Sequence, residues 1–459
     1  WSENLLAFLN PVVVASFSNY LEPGFGLATY KRRIKDLLCT KETGTERKQD
    51  QTKDSVPHIQ PSSSSYNFFL TLPLHMRPYA DAEALATRVE RVVRALPLFL
   101  RNMKFRNFKM VGYVVYGRGS FNQLDEIIEP HRKDDDPMVF LIDHFFEKKP
   151  LINRIPLRGH DKVVFADVTY EPKTTLVDRL AQQLKDEFGK VSGIIGIGGG
   201  STMDLAKAVS LMMNNPGSSA DYQGWDLVKF PGVYKVGIPT LSGTGAEVSR
   251  TCVLTGPTKK LGMNSDFTPF DQIVLDPELT TNAPLNQRFY TGMDCYIHCI
   301  ESLNGTYLNE FSKSYGEKAL QLCRKVFVEK KQWDDESDDQ LMMASYAGGM
   351  SIAYSQVGVA HAVSYGLSYL LGTKHGIGNC IVFDKLEEYY PEGVKEFKYM
   401  VETNNIDIPQ NLTKGLSNEQ FDTMINVSMG MKPLWENALG KDWEKVMTRE
   451  KLRKLFERL

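Results

Sequence analysis

The chain has 459 residues, enough for two or three domains, and its 42% hydrophobic and 24% charged residues are typical of a globular protein. A net charge of −2 gives no indication of binding to nucleic acid or to an anionic membrane surface, and no apolar run reaches the roughly 18 to 20 residues of a membrane span. The six cysteines include no CxxC pair, which is typical of a reducing compartment and predicts a cytoplasmic protein.

The first 102 residues differ in composition from the rest of the chain. The stretch from about 40 to 65 is polar, charged and serine-rich, which is typical of disorder. Regular patterning begins just after Met103. We therefore predict that residues 1–102 are an appended or partly disordered leader of unknown role, with an accessory domain as the alternative.

Residues 103–282 alternate short β-rich runs with helical stretches. This alternation predicts an α/β nucleotide-binding domain, in which helices cover a largely parallel sheet. The predicted strands are VGYVVYG, MVFLID, KVVFADV, GIIGIGG and YKVGIPT, and the predicted helices are LVDRLAQQLKDEF and STMDLAKAVSLMMNN.

Asp143 ends the predicted strand MVFLID. A carboxylate in this place could accept hydrogen bonds from both ribose hydroxyls of a dinucleotide and would repel a 2′-phosphate, which favours NAD over NADP. An equally good interpretation is that Asp143 is the N-cap of the segment that follows it.

The strand GIIGIGG runs into a glycine-rich turn and then into a helix. Gly198, Gly199, Gly200 and Ser201 form that turn, and Asp204 lies one turn into the helix. Glycines let the backbone approach a pyrophosphate, whose charge the first helical N–H groups then bind. The pattern is not the GxGxxG fingerprint, and a lone glycine-rich turn is weak support for a phosphate site.

A second polar loop, PTLSGTGAEVSR, strengthens the prediction of a cofactor site. Thr240, Ser242 and Thr244 supply hydroxyls, and the glycines between them permit a close approach. The alternative is an ordinary turn that ends a strand. Together, the glycine-rich turn and this second loop predict binding of a phosphate-containing cofactor.

Residues 283–459 carry an almost wholly helical pattern and four residues of metal-binding type. Asp294 and His298 are four apart and share one face of a helix, and His361 and His375 follow. One carboxylate and three imidazoles suit Fe²⁺ or Zn²⁺ with a coordination position left for substrate. The alternatives are scattered core residues or a closed structural metal, although closed zinc sites are usually rich in cysteine.

Together these segments resemble the iron-containing (group III) alcohol dehydrogenase family from about residue 104 to 400. The similar motifs occur in the family's order: GGGSTMDLAK, PTLSGTGAEVS, KKLGMNS with VLDPELT, TGMDCYIHCIES, and HAVSYGLSYLLGTKHG. The resemblance implies an α/β domain followed by an all-α metal-binding domain, with NAD and a divalent metal as cofactors. It also implies a homodimer, and a position for Lys260 near the nicotinamide ribose.

Two residues depart from the family's usual pattern. Tyr365 replaces a histidine that often serves as a proton relay, and we predict that Tyr365 takes over this catalytic role by passing a proton or by hydrogen-bonding the substrate. The alternative is a proton relay that runs through solvent. Lys374 replaces a proline that commonly precedes the last metal ligand. Lys374 is either solvated or in contact with a substrate anion.

Within the family, three segments are similar to enzymes that oxidise the C8 hydroxyl of 3-deoxy-D-manno-octulosonate (Kdo). They are NFKMVGYVVYGRGSFNQLDEII, FEKKPLINRIP and HAVSYGLSYLLGTKHGIGNC. This similarity implies a sugar-acid substrate and a functional link to a pyridoxal-phosphate aminotransferase, which makes an 8-amino sugar for lipopolysaccharide. The alternatives are a dehydrogenase of a simple alcohol or diol, a lyase similar to dehydroquinate synthase, and a non-catalytic relative.

Overall fold

The structure is a computed structural model that describes residues 109–330 and 332–459. The predicted leader over residues 1–102 lies outside the described residues. Within the described ranges, an α/β half is followed by a helical half, and the predicted fold class is confirmed.

Six strands form one parallel sheet. They are β1 (Tyr113–Tyr116), β2 (Met138–Asp143), β3 (Lys162–Ala166), β4 (Gly193–Gly198), β6 (Tyr234–Pro239) and β9 (Gln272–Leu275). Their order across the sheet is β1–β9–β6–β4–β2–β3. Every strand predicted from the sequence belongs to this sheet, and β9 is an additional member. Since all strands run the same way, their carboxyl ends meet at one edge.

Helices cover the sheet and bury both of its faces. They are α1 (Leu124–Ile128), α2 (Thr174–Phe188) and α3 (Gly200–Asn214). In β4, Ile194 packs into the core on one face, whereas Ile195 and Ile197 pack into the core on the other. A Cβ on Gly196 would lie 2.6 Å from the Cβ of Ala206, so this glycine allows α3 to pack close to the strand.

Three short strands, which follow α3 and precede β9 along the chain, form a second sheet. It contains β5 (Gly224–Trp225), β7 (Thr251–Thr255) and β8 (Lys260–Asn264). Strands β7 and β8 pair as an antiparallel hairpin, whereas β5 runs parallel to β8. These three strands were not predicted from the sequence.

The helical half is built around α4 (Leu285–Leu303), whose residues from Arg288 to Ser302 are all buried. Such burial on every side is typical of a helix in the centre of a core. The other helices are α5 (Glu310–Arg324), α6 (Asp335–Tyr354), α7 (Val359–Leu371), α8 (His375–Phe383), α9 (Pro391–Thr403), α10 (Asn418–Met429), α11 (Lys432–Leu439), α12 (Trp443–Val446) and α13 (Arg449–Phe456). In the described ranges, none of the helices is long and apolar enough to cross a bilayer.

Candidate active site

The four predicted metal ligands come together in the helical half. One ligand atom from each of Asp294, His298, His361 and His375 lies within 4.8 Å of the others. The Asp294 carboxylate is central, because its Oδ1 lies 3.6 Å from His361 Nε2 and its Oδ2 lies 3.6 Å from His375 Nε2. His298 Nε2 is 3.8 Å from Asp294 Oδ2.

Three helices supply this cluster. Asp294 and His298 lie one turn apart on α4, as their spacing predicts. His361 lies in the first turn of α7, and His375 is the first residue of α8. Because α4 is buried on every side, its carboxylate is held away from bulk water and depends on these imidazoles for compensation.

The charges in the cluster compensate one another. Burial by itself raises the pKa of Asp294, but the three imidazoles outweigh it and hold that pKa below its usual range. Burial lowers the pKa of His298 to about 4 and that of His375 to about 3. Burial also lowers the pKa of His361, but the Glu301 carboxylate outweighs this effect and raises it to about 9.

The donor set fits a divalent cation. Asp294 Oδ2 and His298 Nδ1 are buried and have no hydrogen-bond partner among the described residues. A buried polar atom without a partner is costly, and a bound ion among these groups would compensate the carboxylate oxygen. One carboxylate and three imidazoles, of which His375 is partly exposed, match a metal site that keeps a position for substrate.

Two further residues support the cluster and were not predicted. The Glu301 carboxylate contacts His361 Nδ1 at 2.5 Å, and the amide of Asn379 donates to Asp294 Oδ1 at 2.6 Å. Glu301 lies seven residues after Asp294 and three after His298, on the same face of α4. That helical spacing is the signal that could have identified Glu301, whereas nothing in the sequence indicates Asn379.

A glycine-rich cradle, at Gly198–Gly200, lies at the edge of the sheet where β4 passes into α3. A Cβ on Gly198 would lie 2.3 Å from Thr202 Oγ1, and one on Gly200 would lie 2.8 Å from Thr244 Oγ1. These glycines therefore let the turn pack closely against the side chains of Thr202 and Thr244. Thr202 Oγ1 is buried without a hydrogen-bond partner among the described residues, so it offers a hydroxyl to a ligand. The cradle fits the pyrophosphate of a dinucleotide.

Most of the predicted cofactor residues line one cavity of about 700 Å³ at this edge. They are Asp143, Gly199, Gly200, Ser201, Asp204, Thr240 and Thr244. Asp143 is an N-cap, since its Oδ1 accepts a hydrogen bond of 3.0 Å from Phe145 N, whereas its contact with a ribose stays a prediction. Burial raises the pKa of Asp204 to about 7, and its carboxylate accepts from Val253 N.

Three predicted residues do not line the cavity. Gly198 is the last residue of β4, and the Ser242 hydroxyl is buried without a partner among the described residues. Lys260 is fully buried, and its Nζ lies 2.7 Å from the Glu171 carboxylate. Glu171 itself lines the cavity and was not predicted.

The glycines of the loop PTLSGTG serve helix packing. A Cβ on Gly243 would lie 1.8 Å from the carbonyl oxygen of Thr291 on α4, and one on Gly245 would lie 2.4 Å from the Cα of Gly349 on α6. The loop thus packs directly on two helices of the other half. From the sequence we expected these glycines to let the loop approach a cofactor. Instead they let the loop approach the backbone of two helices.

Tyr365 lies where the cavity meets the metal cluster. It lines the cavity, its ring centroid is 6.0 Å from that of His375, and Lys260 Nζ lies 4.7 Å from the centre of its ring. Burial raises the pKa of its phenol, so the hydroxyl is neutral at physiological pH.

Two family models match the chain, one after the other. The model described as iron-containing alcohol dehydrogenase matches residues 112–277, and that described as Fe-containing alcohol dehydrogenase family, C-terminal, matches residues 288–423. Together they cover about two thirds of the chain. The boundary between them falls where β9 ends and α4 begins.

Individual proteins show the same similarity. Sulfoacetaldehyde reductase of Bilophila wadsworthia is 30% identical over 236 residues, which is 50% of this chain and 60% of that protein. Long-chain-alcohol dehydrogenase 1 of Geobacillus thermodenitrificans is 29% identical over 282 residues, covering 60% of this chain and 70% of the relative. The matched part of the chain thus spans 60 to 70% of the length of these two relatives.

Solved structures share the fold. The 1,3-propanediol oxidoreductase structure gives a TM-score of 0.66 at 19% identity, covering 77% of this chain and 99% of its own. Sulfoacetaldehyde reductase from Bifidobacterium kashiwanohense, solved in complex with NAD⁺, gives 0.62 at 21% identity and covers 77% and 98%. At these identities the likeness concerns the fold.

Proposed function

The chain belongs to the iron-containing alcohol dehydrogenase family, and from this premise we propose that it oxidises the C8 hydroxyl of Kdo to an aldehyde. The family uses NAD and a divalent metal. We propose Asp294, His298, His361 and His375 as the ligands of Fe²⁺ or Zn²⁺. The glycine-rich turn at Gly198–Gly200 and the loop at Thr240–Thr244 would hold NAD.

One observation carries the proposal: a single cavity is lined both by the glycine cradle and by the histidines of the metal cluster. Gly199 and Gly200 line it from the sheet, while His298, His361 and His375 line it from the helices. A substrate at the cluster would therefore lie in the same space as a cofactor in the cradle. Holding two reactants together in this way makes their reaction effectively intramolecular.

When bound, the metal would lower the pKa of the alcohol and NAD would accept the hydride. The residues of the chain have three tasks in this reaction. The cluster offers one negative charge, Asp294, so a divalent ion held there keeps a net positive charge toward the substrate. Tyr365 would hydrogen-bond the reacting hydroxyl and pass its proton on. The β4–α3 turn would hold the pyrophosphate and so fix the position of the nicotinamide.

The lining of the cavity includes groups that suit an acidic, polyhydroxylated substrate. Lys374 lines it directly before His375, and the ion pairs among the described residues leave this lysine without a carboxylate partner. The side-chain amides that line the same cavity are those of Asn264, Asn282, Asn286, Gln287 and Gln356. Amides donate and accept hydrogen bonds as sugar hydroxyls require, and Lys374 would bind the carboxylate of Kdo.

A dehydrogenase of simple alcohols or diols is the second candidate. The relatives include long-chain-alcohol dehydrogenase 1 and the 1-propanol dehydrogenase PduQ of Citrobacter freundii, which is 27% identical over 287 residues. Membership in this family favours oxidoreductase chemistry over the lyase reaction. For a simple alcohol, neither Lys374 nor the side-chain amides that line the cavity would contribute to binding.

A substrate panel tests the proposal. The full chain, reconstituted with Fe²⁺ or Zn²⁺, would be given NAD⁺ with Kdo, 1,2-propanediol, glycerol or 1-butanol, and an aldehyde trap. We expect NADH and a Kdo-derived aldehyde of the correct mass. Turnover confined to the simple alcohols would refute the Kdo assignment.

A substitution of Lys374 extends this test. Lys374→Gln should raise the KM for Kdo by about 10- to 100-fold, since a hydrogen bond to a charged group contributes about 1.5–3 kcal/mol. The KM for any neutral alcohol that is turned over should stay unchanged. Lys385→Gln is the matched control, because that lysine pairs with Asp384 and does not line the cavity. Equal KM values for Kdo in both variants would argue against a carboxylate contact at Lys374.

Three further parts of the proposal concern the cell and the assembly. We propose that the enzyme is cytoplasmic and homodimeric, and that a pyridoxal-phosphate aminotransferase consumes the aldehyde to form 8-amino-Kdo for lipopolysaccharide. Light scattering of the purified protein tests the dimer. Addition of such an aminotransferase together with an amino-acid donor should increase NADH yield, because transfer of the donor's amino group to the aldehyde removes it and displaces the equilibrium.

A further inference from the structure

We propose that Glu301 is a positioning residue of the metal centre, and that its carboxylate fixes the tautomer and the orientation of His361. The inference rests on the proposed function, because it takes the four-residue cluster to be a metal site. It concerns a residue that would touch neither the metal nor the substrate.

The contacts of Glu301 are all short and all buried. Its Oε2 lies 2.5 Å from His361 Nδ1 and accepts a hydrogen bond of 2.8 Å from Gly358 N. Its Oε1 accepts one of 2.5 Å from Ala360 N. Since Glu301 and His361 are almost completely buried, water cannot replace any of these contacts.

These contacts determine which nitrogen of His361 faces the cluster. A carboxylate accepts hydrogen bonds, so Nδ1 of the neutral imidazole must carry the proton. The lone pair is then on Nε2, which lies 3.6 Å from Asp294 Oδ1 within the cluster. A carboxylate behind a ligating histidine fixes ring orientation and raises ligand basicity.

The same carboxylate also connects two helices. Gly358 is the N-cap of α7, and the N–H groups of Gly358 and Ala360 lie where a helix end leaves donors without partners. A carboxylate beside a helix N-terminus is favourable. Glu301 therefore holds α4 to the start of α7, so the experiment must separate positioning from stability.

The test compares Glu301→Gln with Glu396→Gln in the full chain. Glu396 accepts a hydrogen bond of 2.6 Å from Tyr296 on α4 and pairs with Arg324, but it contacts no predicted metal ligand. Zn²⁺ affinity would be measured by chelator competition, and the Co²⁺ ligand-field spectrum would be recorded. We expect about 10- to 100-fold weaker Zn²⁺ binding and an altered spectrum for Glu301→Gln alone. Unchanged affinity and spectrum in Glu301→Gln would overturn the proposal.

A double-mutant cycle keeps the inference testable if stability also changes. Once His361→Ala has removed the ligand, adding Glu301→Gln should weaken Zn²⁺ binding no further, whereas independent losses would contradict positioning. If the Gln variant does not fold, Glu301→Asp should retain the fold and still bind Zn²⁺ more weakly, and native affinity in it would overturn the proposal. Because these readouts need no substrate, failure of the substrate panel would leave them interpretable.

Discussion

Tyr365 stands at the junction of the cavity and the metal cluster, at the position where the family resemblance implies a histidine. A histidine at this place could titrate near neutral pH, whereas burial raises the pKa of this phenol above its usual value. The phenol can therefore donate and accept a hydrogen bond but cannot hold a negative charge at pH 7. It would transfer a proton only in a concerted step with its neighbours.

Removal of the Tyr365 hydroxyl should affect turnover more than binding. We expect Tyr365→Phe to lower kcat by about 100-fold, since general acid–base groups typically contribute 10²- to 10⁴-fold. Metal content should stay unchanged, because the tyrosine is outside the ligand set. Tyr365→His should keep kcat within about 10-fold of the native enzyme. Steady-state kinetics with metal analysis provides the measurement, and an unchanged kcat in the Phe variant would remove Tyr365 from the mechanism.

At the scale of residues, the site residues that could be predicted from the sequence are those whose chemistry is unusual in a protein core. A carboxylate and three histidines in helical settings indicate a metal, and the structure brings these four together. Asn379 and Glu171 could not be found in this way, since single polar residues occur everywhere on helices and loops. Their places near the cluster and in the cavity depend on tertiary packing.

At the scale of elements, the loop PTLSGTG joins the two halves of the described chain through its glycines. Gly243 has a φ of 149°, which side chains rarely adopt, and its α-carbon faces the backbone of Thr291 on α4. A side chain here would displace the loop or the helix that carries Asp294 and His298. The close packing of this loop on α4 therefore depends on a glycine at position 243.

Gly243→Ala should lower stability far more than Gly372→Ala does. Gly372 also has a positive φ, of 67°, at the end of α7, but a Cβ there would meet nothing within 4 Å. We expect Gly372→Ala to cost about 1 kcal/mol from backbone strain alone. Gly243→Ala should cost more than about 3 kcal/mol, because overpacking adds to the strain. Chemical denaturation measures both, and equal losses would contradict the packing role of the loop.

Elements with a strong hydrophobic pattern could be predicted from the sequence, whereas the short strands of the second sheet could not. The strand GIIGIGG is apolar on both faces because helices cover both faces of the sheet, and this pattern is visible in the sequence. Strands β7 and β8 contain one lysine, two threonines and one glycine, and their hairpin is defined by pairing with each other and with β5. Such pairing leaves little periodicity in the sequence.

At the scale of the whole molecule, cofactor and metal residues come from different halves of the described chain. The cradle is formed by strand ends and by α3, and the cluster is formed by α4, α7 and α8. Among the described residues, no hydrogen bond joins a glycine of the cradle to a predicted metal ligand. The two sites should therefore bind their ligands nearly independently, although both line one cavity.

Removal of the metal should lower the melting temperature but leave NAD binding nearly unchanged. The stripped protein keeps a buried Asp294 oxygen without a hydrogen-bond partner, so added Zn²⁺ should stabilise it. At 100 times its Kd, a ligand adds about 2.7 kcal/mol, which amounts to a rise of a few degrees. The NAD affinity, measured by calorimetry, should change by less than about threefold, well under 1 kcal/mol.

Asp294→Asn serves as the control for this measurement. The amide removes the negative charge of the cluster, so Zn²⁺ at the same concentration should raise its melting temperature much less. Its NAD affinity should equal that of the native protein, because Asp294 does not line the cavity. A large loss of NAD affinity on metal removal would instead mean that the cluster orders the cradle, in which case the loop at Gly243 is the connection through which the two halves act on each other.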